Sequence, residues 1–328
     1  KVSNFTHEFF GDANYAGQAF GFTCKINYDG TRCVITARYH SDYKGALFFF
    51  HNDDGYGWKL NTQYNNPNST GGVLGHINSI SINDAGTRVV AGAYDNDYNG
   101  TESGSLYIFD YYNGIWNTVK RIDGDAAGYQ LGNSCAINGV GDRIVVGAFN
   151  HAATGFGHAY IYHLIDNDWR LMKTYAEGPA ITDTSEFGNI VAMNGVGDRI
   201  AVSNIVDSEV YIYDYVNGAW GAVHSHLFSL EGRSLDFNTS GDRLIIGDNL
   251  TTNGTAYIYH YDAGSWSLAR TYNGESSGDI FSYSVSIDAS GDRVLIGANE
   301  IGTSKGGAYL YSYGASAWPA TTTDYDVS

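Results

Sequence analysis

Short stretches in which apolar and polar side chains alternate run through the whole chain. In Phe281–Ile287, large apolar residues alternate with serine at a period of two, which is typical of a strand that buries one face. A tight turn over Asp288–Gly291 leads to a more continuously apolar strand, Val294–Ile296, and then to Ala308–Tyr313, where three tyrosines share one face. Trp318 opens a fourth strand. Because no window keeps a helical period or shows helix caps, the pattern predicts an all-β chain.

The four-strand pattern occurs six times, and every copy carries an arginine and a tryptophan at matching places. The arginine begins the second predicted strand, and the six arginines are spaced by 56, 55, 56, 44 and 50 residues. A tryptophan follows each arginine by 21 to 28 residues, and these are all 6 tryptophans of the chain. The markers are Arg32, Arg88, Arg143, Arg199, Arg243 and Arg293, with Trp58, Trp116, Trp169, Trp220, Trp266 and Trp318. Chance does not distribute residues this way, so the chain is an internal repeat.

Four antiparallel strands in each of six units predict a six-bladed β-propeller, with seven blades as the lesser alternative. A lone four-stranded sheet exposes two faces, and stacking sheets around an axis buries both. We therefore expect residues 1–328 to form a single propeller domain. The predicted blades are 13–66, 67–125, 126–182, 183–228, 229–275 and 276–328.

The N-terminal segment, residues 1–12, is a surplus outer strand. It precedes the first predicted inner strand in the way that Lys120–Ile122 precedes Leu131, so six blades have seven candidate outer strands. Two hypotheses follow. In the favoured one, the segment closes the last blade within the same chain. In the other, it adds to an edge of a neighbouring subunit, and repetition of that contact builds a filament.

Two short motifs recur in the units. An apolar residue before glycine occurs at Phe20-Gly21, Leu74-Gly75, Leu131-Gly132 and Phe187-Gly188, with Phe281-Ser282 as a weaker copy. Gly-Ala occurs at Gly92-Ala93, Gly147-Ala148 and Gly297-Ala298, and Gly247-Asp248 departs from it. On these motifs the units resemble FG-GAP repeats, the blades of the integrin α-subunit head and related extracellular propellers. The resemblance implies a propeller used for adhesion or ligand display.

Many FG-GAP blades carry a calcium loop between their first two strands, but here that connection is as short as Asn83–Gly86 and offers too few carboxylates. The nearest match to a calcium loop lies elsewhere, where Asp95, Asp97 and Asn99 stand at positions 1, 3 and 5. Gly100 and Thr101 follow at positions 6 and 7, but position 12 is leucine. A surface turn is the stronger interpretation, and calcium at Asp95, Asp97, Asn99 and Thr101 is the alternative.

Cysteines supply a candidate disulfide. Cys24 and Cys33 flank the turn Asn27–Gly30, and a register in which paired residue numbers sum to 57 places them directly opposite each other. Both positions are apolar in other units, so two reduced core thiols are an equal alternative. Cys135 matches the Cys24 position and is expected to be a buried free thiol.

The repeated arginines and aromatic residues have structural roles in our interpretation. Arginine at the same place in six strands is expected to bond carbonyl groups or to pair with aspartate in its own or the next blade. A tryptophan present in every blade is expected to wedge between sheets, with sugar stacking as the weaker alternative.

Charge narrows the classes of partner. The chain has 18 Lys and Arg against 35 Asp and Glu, a formal charge of −17, which argues against nucleic acid and anionic membranes. No stretch is apolar for long enough to predict a membrane-spanning helix. The chain begins with Lys1 instead of Met, so we expect a processed product located outside the cell, on the cell surface or on a virion surface.

These observations predict a non-enzymatic binding or adhesion propeller, because no catalytic motif stands out. Its protein or glycan ligand would meet variable loops such as Asp95–Gly104 and Gly178–Glu186. One alternative is a structural subunit of a filament or virion fibre, a homo-oligomer assembled through the N-terminal strand. Another is a glycan-binding lectin or glycan-active enzyme.

Overall fold

The computed structural model of the chain is all-β and confirms the predicted six-bladed β-propeller. It describes residues 19–40, 44–52, 57–67, 74–75, 79–150, 156–176, 186–228, 230–276, 278–299, 306–314 and 317–319. These residues contain no helix, and so none long and apolar enough to cross a membrane. The chain divides into two compact units, one formed by residues 2–191 and the other by residues 192–328 with residue 1.

Twenty-three strands make up the described part of the blades. The first three blades contain β1 Phe20–Ile26, β2 Arg32–Ala37, β3 Ala46–His51, β4 Lys59–Asn65, β5 Ile80–Ile82, β6 Arg88–Ala93, β7 Ser105–Tyr112, β8 Ile115–Asp123, β9 Leu131–Ile137, β10 Arg143–Ala148, β11 His158–Ile165 and β12 Asp168–Ala176. The last three contain β13 Phe187–Met193, β14 Arg199–Asn204, β15 Glu209–Val216, β16 Ala219–Phe228, β17 Ser234–Phe237, β18 Arg243–Asp248, β19 Thr255–Asp262, β20 Ser265–Asn273, β21 Phe281–Ile287, β22 Arg293–Ala298 and β23 Gly307–Ser312.

Each blade is an antiparallel meander in which strands pair in chain order. Five sheets have four described strands, and the sixth has three, in the order β21-β22-β23. Every sheet lies inside one of the predicted blade ranges. The segment 1–12, predicted to supply an outer strand, lies outside the described residues.

Tryptophan packs between neighbouring sheets, as predicted. Trp116 of β8 stacks on Phe49 of β3 with ring centroids 4.8 Å apart, and both belong to one buried cluster. In the other unit, Trp318 is buried beside Tyr311 of β23 and Tyr272 of β20. Burying one such ring stabilises the fold by roughly 2–3 kcal/mol.

The repeated arginines join successive blades, which confirms their predicted structural role. Arg88 donates from Nη1 to the carbonyl oxygen of Gly141 at 2.7 Å and pairs with Asp110 of its own blade. Arg199 repeats this with Gly241, at 2.8 Å, and Asp214. The turn before each of these arginines is closed by asparagine; Oδ1 of Asn83, for example, accepts the N–H groups of Thr87 and Arg88.

The two glycine motifs meet where successive blades pack closely against each other. A Cβ on Gly92 would lie 1.8 Å from the carbonyl oxygen of Gly132, and a Cβ on Gly147 would lie 1.9 Å from that of Gly188. No side chain fits in either gap. Gly132 and Gly188 also have φ of 94° and 84°, a region that favours glycine. The motifs therefore serve backbone packing between blades.

The predicted register, which places Cys24 directly opposite Cys33, is wrong. Cys24 lies opposite Ile35 and Cys33 opposite Ile26, so paired numbers sum to 59. Asn27 closes a longer turn than predicted, since its N–H donates to the carbonyl oxygen of Arg32. Both thiols are free in this structure, Cys24 exposed and Cys33 buried. Cys135 is the buried free thiol that the sequence predicts.

Candidate functional site

A small cleft lies between the second and third blades. Its volume is about 20 Å³, which is enough for one water molecule or one hydroxyl group. The lining residues come from the end of β8, the β8–β9 connection, the start of β9 and the middle of β11. They are Asp123, Gly124, Asp125, Tyr129, Leu131, Tyr160 and Tyr162. The cleft thus combines two carboxylates with three phenols.

The loop Asp95–Gly104, predicted to meet a ligand, holds one wall of this cleft in place. Asn99 donates from Nδ2 to the carbonyl oxygen of Gly124 at 2.9 Å. The N–H groups of Gly128 and Gln130 donate to the carbonyl oxygens of Thr101 and Glu102, each at 2.9 Å. The predicted loop and the cleft therefore form one continuous surface.

Asp123 and Asp125 have different surroundings. Asp123 is half-buried; its Oδ1 accepts the Ser105 hydroxyl at 2.7 Å, and its Oδ2 accepts the Arg121 guanidinium at 2.9 Å. Asp125 is exposed, and within the described part of the chain no hydrogen bond to its carboxylate is found. Asp123 is therefore held in one orientation, whereas Asp125 can bind a ligand or accept a proton.

Burial strengthens the preference of Tyr160 and Tyr162 for the protonated form. It raises the pKa of Tyr162 to about 12, and the negative charge of Asp125 acts in the same direction. The pKa of Tyr160 rises further above its ordinary value, again through burial first and Asp125 second. At neutral pH both hydroxyls can donate a hydrogen bond to a ligand oxygen.

Two of the candidate calcium ligands form hydrogen bonds within the protein. Oδ1 of Asp97 accepts the N–H of Glu102 at 2.7 Å, and Asn99 turns its amide NH₂ to Gly124. In the ranges that the structure describes, no three His, Cys, Asp or Glu side chains are grouped as metal ligands would be. Calcium binding at Asp95, Asp97, Asn99 and Thr101 stays a prediction.

Asp248, where the sequence departs from Gly-Ala, is a buried carboxylate with a raised pKa. It is 5% exposed, and burial raises its pKa, with the charge of Glu231 adding to the effect. Its Oδ1 accepts the N–H of Leu250 at 3.3 Å. The carboxylate closes the turn after β18 and is too buried to reach a substrate, so we interpret it as structural.

The cleft residues were not predicted from the sequence. The available signal is Asp123-Gly-Asp125, a triplet that occurs once in the chain, at the connection between two predicted blades. Tyr160 and Tyr162 belong to a tyrosine pattern that recurs in other blades, so nothing separates them in the sequence. The other predicted ligand loop, 178–186, lies outside the described residues except for Glu186.

Comparisons with known proteins agree on the fold. No protein-family model matches the chain, and no curated protein matches it. A solved structure called a candidate 6-phosphogluconolactonase, from Bacteroides uniformis, is 12% identical with a TM-score of 0.63, covering 93% of this chain and 84% of its own. A second protein so called, from Bacteroides fragilis, is 12% identical with a TM-score of 0.65, covering 97% and 86%. The β-propeller domain of Cps50 (Swd1) from Myceliophteria thermophila is 11% identical with a TM-score of 0.62, covering 96% and 87%.

These neighbours correct the functional prediction. At such low identity the likeness establishes the fold alone, but two of the three neighbours bear the name of an enzyme. The lack of a familiar catalytic motif is therefore no ground for excluding catalysis, and the prediction of a non-enzymatic adhesion propeller is wrong. The FG-GAP resemblance and the location outside the cell stay predictions.

Proposed function

We propose that this propeller is a carbohydrate-active hydrolase whose site is the cleft between its second and third blades. The observation that carries the proposal is the meeting of an exposed carboxylate, Asp125, with the protonated phenols of Tyr160 and Tyr162 around a space for one water molecule or one hydroxyl group. Sugars are recognised by this combination, because aromatic rings pack on their apolar faces and polar groups bond their hydroxyls. The names of the two Bacteroides neighbours support the same class.

The residues suggest how a lactone or a related sugar ester would be hydrolysed. A water molecule attacks the carbonyl carbon while Asp125 accepts its proton. A phenol, Tyr160 or Tyr162, donates a hydrogen bond to the carbonyl oxygen as negative charge develops there. The carbon–oxygen bond of the ring then breaks, and the proton returns to the leaving oxygen, so that lactone and water give a hydroxy acid. Asp123 acts as a positioning residue, fixed by Ser105 and Arg121.

The test is turnover of a panel of sugar lactones and chromogenic glycosides, followed by acid release at constant pH or by colour. We expect Asp125→Asn to lower kcat/KM on the active substrate about 100-fold, and Tyr162→Phe to lower it about tenfold. Asp262→Asn is the matched control, because Asp262 is an exposed carboxylate at the end of β19. Wild-type activity in the Asp125→Asn variant, or no turnover of any substrate, would refute the proposal.

A further inference from the structure

We infer that the site takes uncharged sugars or sugar lactones and rejects their phosphorylated forms. The inference rests on the proposed function, since it concerns the substrate class of the same cleft. Its starting point is that the two charged side chains lining the cleft, Asp123 and Asp125, are both anionic.

The cation beside the cleft is already engaged. Arg121 donates from Nε and Nη2 to Oδ2 of Asp123, at 3.1 and 2.9 Å. Its guanidinium carbon also lies 3.4 Å from the centre of the Tyr98 ring. An incoming phosphate would have to displace Asp123 and the ring to use this charge. Because Asp123 offsets the positive charge of Arg121, Asp125 is left as the uncompensated charge of the cleft.

Other features that bind phosphate do not line this cleft. Proteins recognise phosphate with paired guanidinium groups, lysine or the N-terminus of a helix. Lysine, arginine and helix termini are all missing from the described lining. Glu102, exposed on the adjoining loop, adds another negative charge at this end of the blade, and the chain as a whole carries −17.

The same lining suits an uncharged polyol. The phenols of Tyr160 and Tyr162 are hydrogen-bond donors, and the carboxylate of Asp125 is an acceptor for sugar hydroxyls. A single sugar hydroxyl fits the space of about 20 Å³. The hydrogen-bonding groups of the lining thus suit an uncharged polyol, and the negative charge of the lining disfavours a phosphate.

The experiment compares gluconolactone, glucose and their 6-phosphates by titration into the protein, with the tyrosine ring signals followed by NMR. We expect the uncharged ligands to shift the Tyr160 and Tyr162 signals, and the phosphates to bind at least tenfold more weakly at low salt. The difference in affinity between uncharged and phosphorylated ligands should become smaller in 0.3 M NaCl, because salt screens the repulsion. This difference should also become smaller in Asp125→Asn, whereas Asp262→Asn should leave it unchanged.

Each outcome separates the inference from the proposed function. Equal or tighter binding of the phosphates overturns the inference but leaves hydrolysis possible. Binding of the uncharged sugars without turnover supports the inference and refutes the hydrolase, leaving a lectin. If no ligand shifts the tyrosine signals, both are refuted.

Discussion

At the scale of single residues, His260 is held in one protonation state by its partner. The indole Nε1–H of Trp318 donates to Nε2 of His260 at 3.1 Å. An indole nitrogen only donates, so His260 must be neutral and carry its proton on Nδ1. Burial lowers the pKa of His260, and Arg243, its partner on β18, acts in the same direction. Asp242 opposes this effect, and the facing Tyr313 and Ser267 are uncharged at neutral pH.

This contact predicts acid sensitivity. The pKa of His260 is 6.5 in the unfolded chain and lower in the folded protein. The neutral imidazole therefore contributes its full stabilisation above pH 6.5. This contribution is lost as the pH falls from 6.5 through the folded pKa. We expect the free energy of unfolding to fall between pH 7.5 and pH 5 in the wild type. The fall should be smaller in His260→Gln, whose amide oxygen accepts the indole N–H but does not titrate.

Denaturant unfolding at the two pH values measures this difference, and His163→Gln is a useful comparison. Burial and Arg143 lower the pKa of His163 as well, so this variant should also flatten the pH dependence, but without affecting Trp318. The protection of the Trp318 indole proton against solvent exchange, measured relative to a free indole at the same pH, should fall at pH 5 in the wild type and in His163→Gln, but not in His260→Gln. Identical behaviour of all three proteins would contradict the assignment.

At the scale of elements, an arginine at the start of a second strand fastens one blade to the next. Arg199 of β14 forms a two-point pair with Asp214, donates to Gly241 and lies 4.0 Å from the centre of the Tyr261 ring. Both charged side chains are largely buried, at 12% and 16% exposure. Lysine can supply the charge but not the planar fork that makes these contacts together.

We therefore expect Arg199→Lys to lower the free energy of unfolding by about 2 kcal/mol. Arg293→Lys is the control at the equivalent position of the sixth blade, where the arginine is exposed and, within the described residues, has no comparable side-chain bonds. Its effect should be close to zero. Chemical denaturation of both variants measures the free energy of unfolding. An equal decrease in the two variants would show that the contacts of Arg199 do not stabilise the fold.

The strands were predictable from the sequence because the same residue types occupy the same positions in successive blades. Arg88 and Trp116 are examples. The arginine contacts a carbonyl oxygen of the next blade, the tryptophan packs against a neighbouring sheet, and other blades repeat both contacts. The register at Cys24 was not predictable, because it depends on how the side chain of Asn27 closes the turn. With that hydrogen bond the turn is two residues longer than predicted. The pattern of apolar residues does not indicate the length of the turn.

At the scale of the whole molecule, the sequence repeat predicts the fold but does not distinguish the residues of the cleft from those of other blades. The cleft joins the β8–β9 connection to β11, segments that are separated along the chain and meet only when two blades pack. The loop of Asp125 has a counterpart in the β20–β21 connection, where Glu275 stands at the matching place, and Tyr160 and Tyr162 also look like ordinary members of a repeat. A site made from residues that recur in other units cannot be identified before the blades are assembled.

The charge of the whole molecule predicts how its stability responds to salt. A formal charge of −17 acts through mutual repulsion, which favours the unfolded chain, where like charges lie further apart. Attractive pairs such as Lys120–Asp168 are exposed and contribute little, so screening should relieve more repulsion than attraction. We expect the Tm at pH 7.5 to rise by several degrees between 10 and 300 mM NaCl, and to rise equally in KCl, because the effect depends on ionic strength and not on the cation. A Tm that falls with salt would show that attractive pairs dominate instead, and a rise only with calcium would point to the metal loop at Asp95–Thr101.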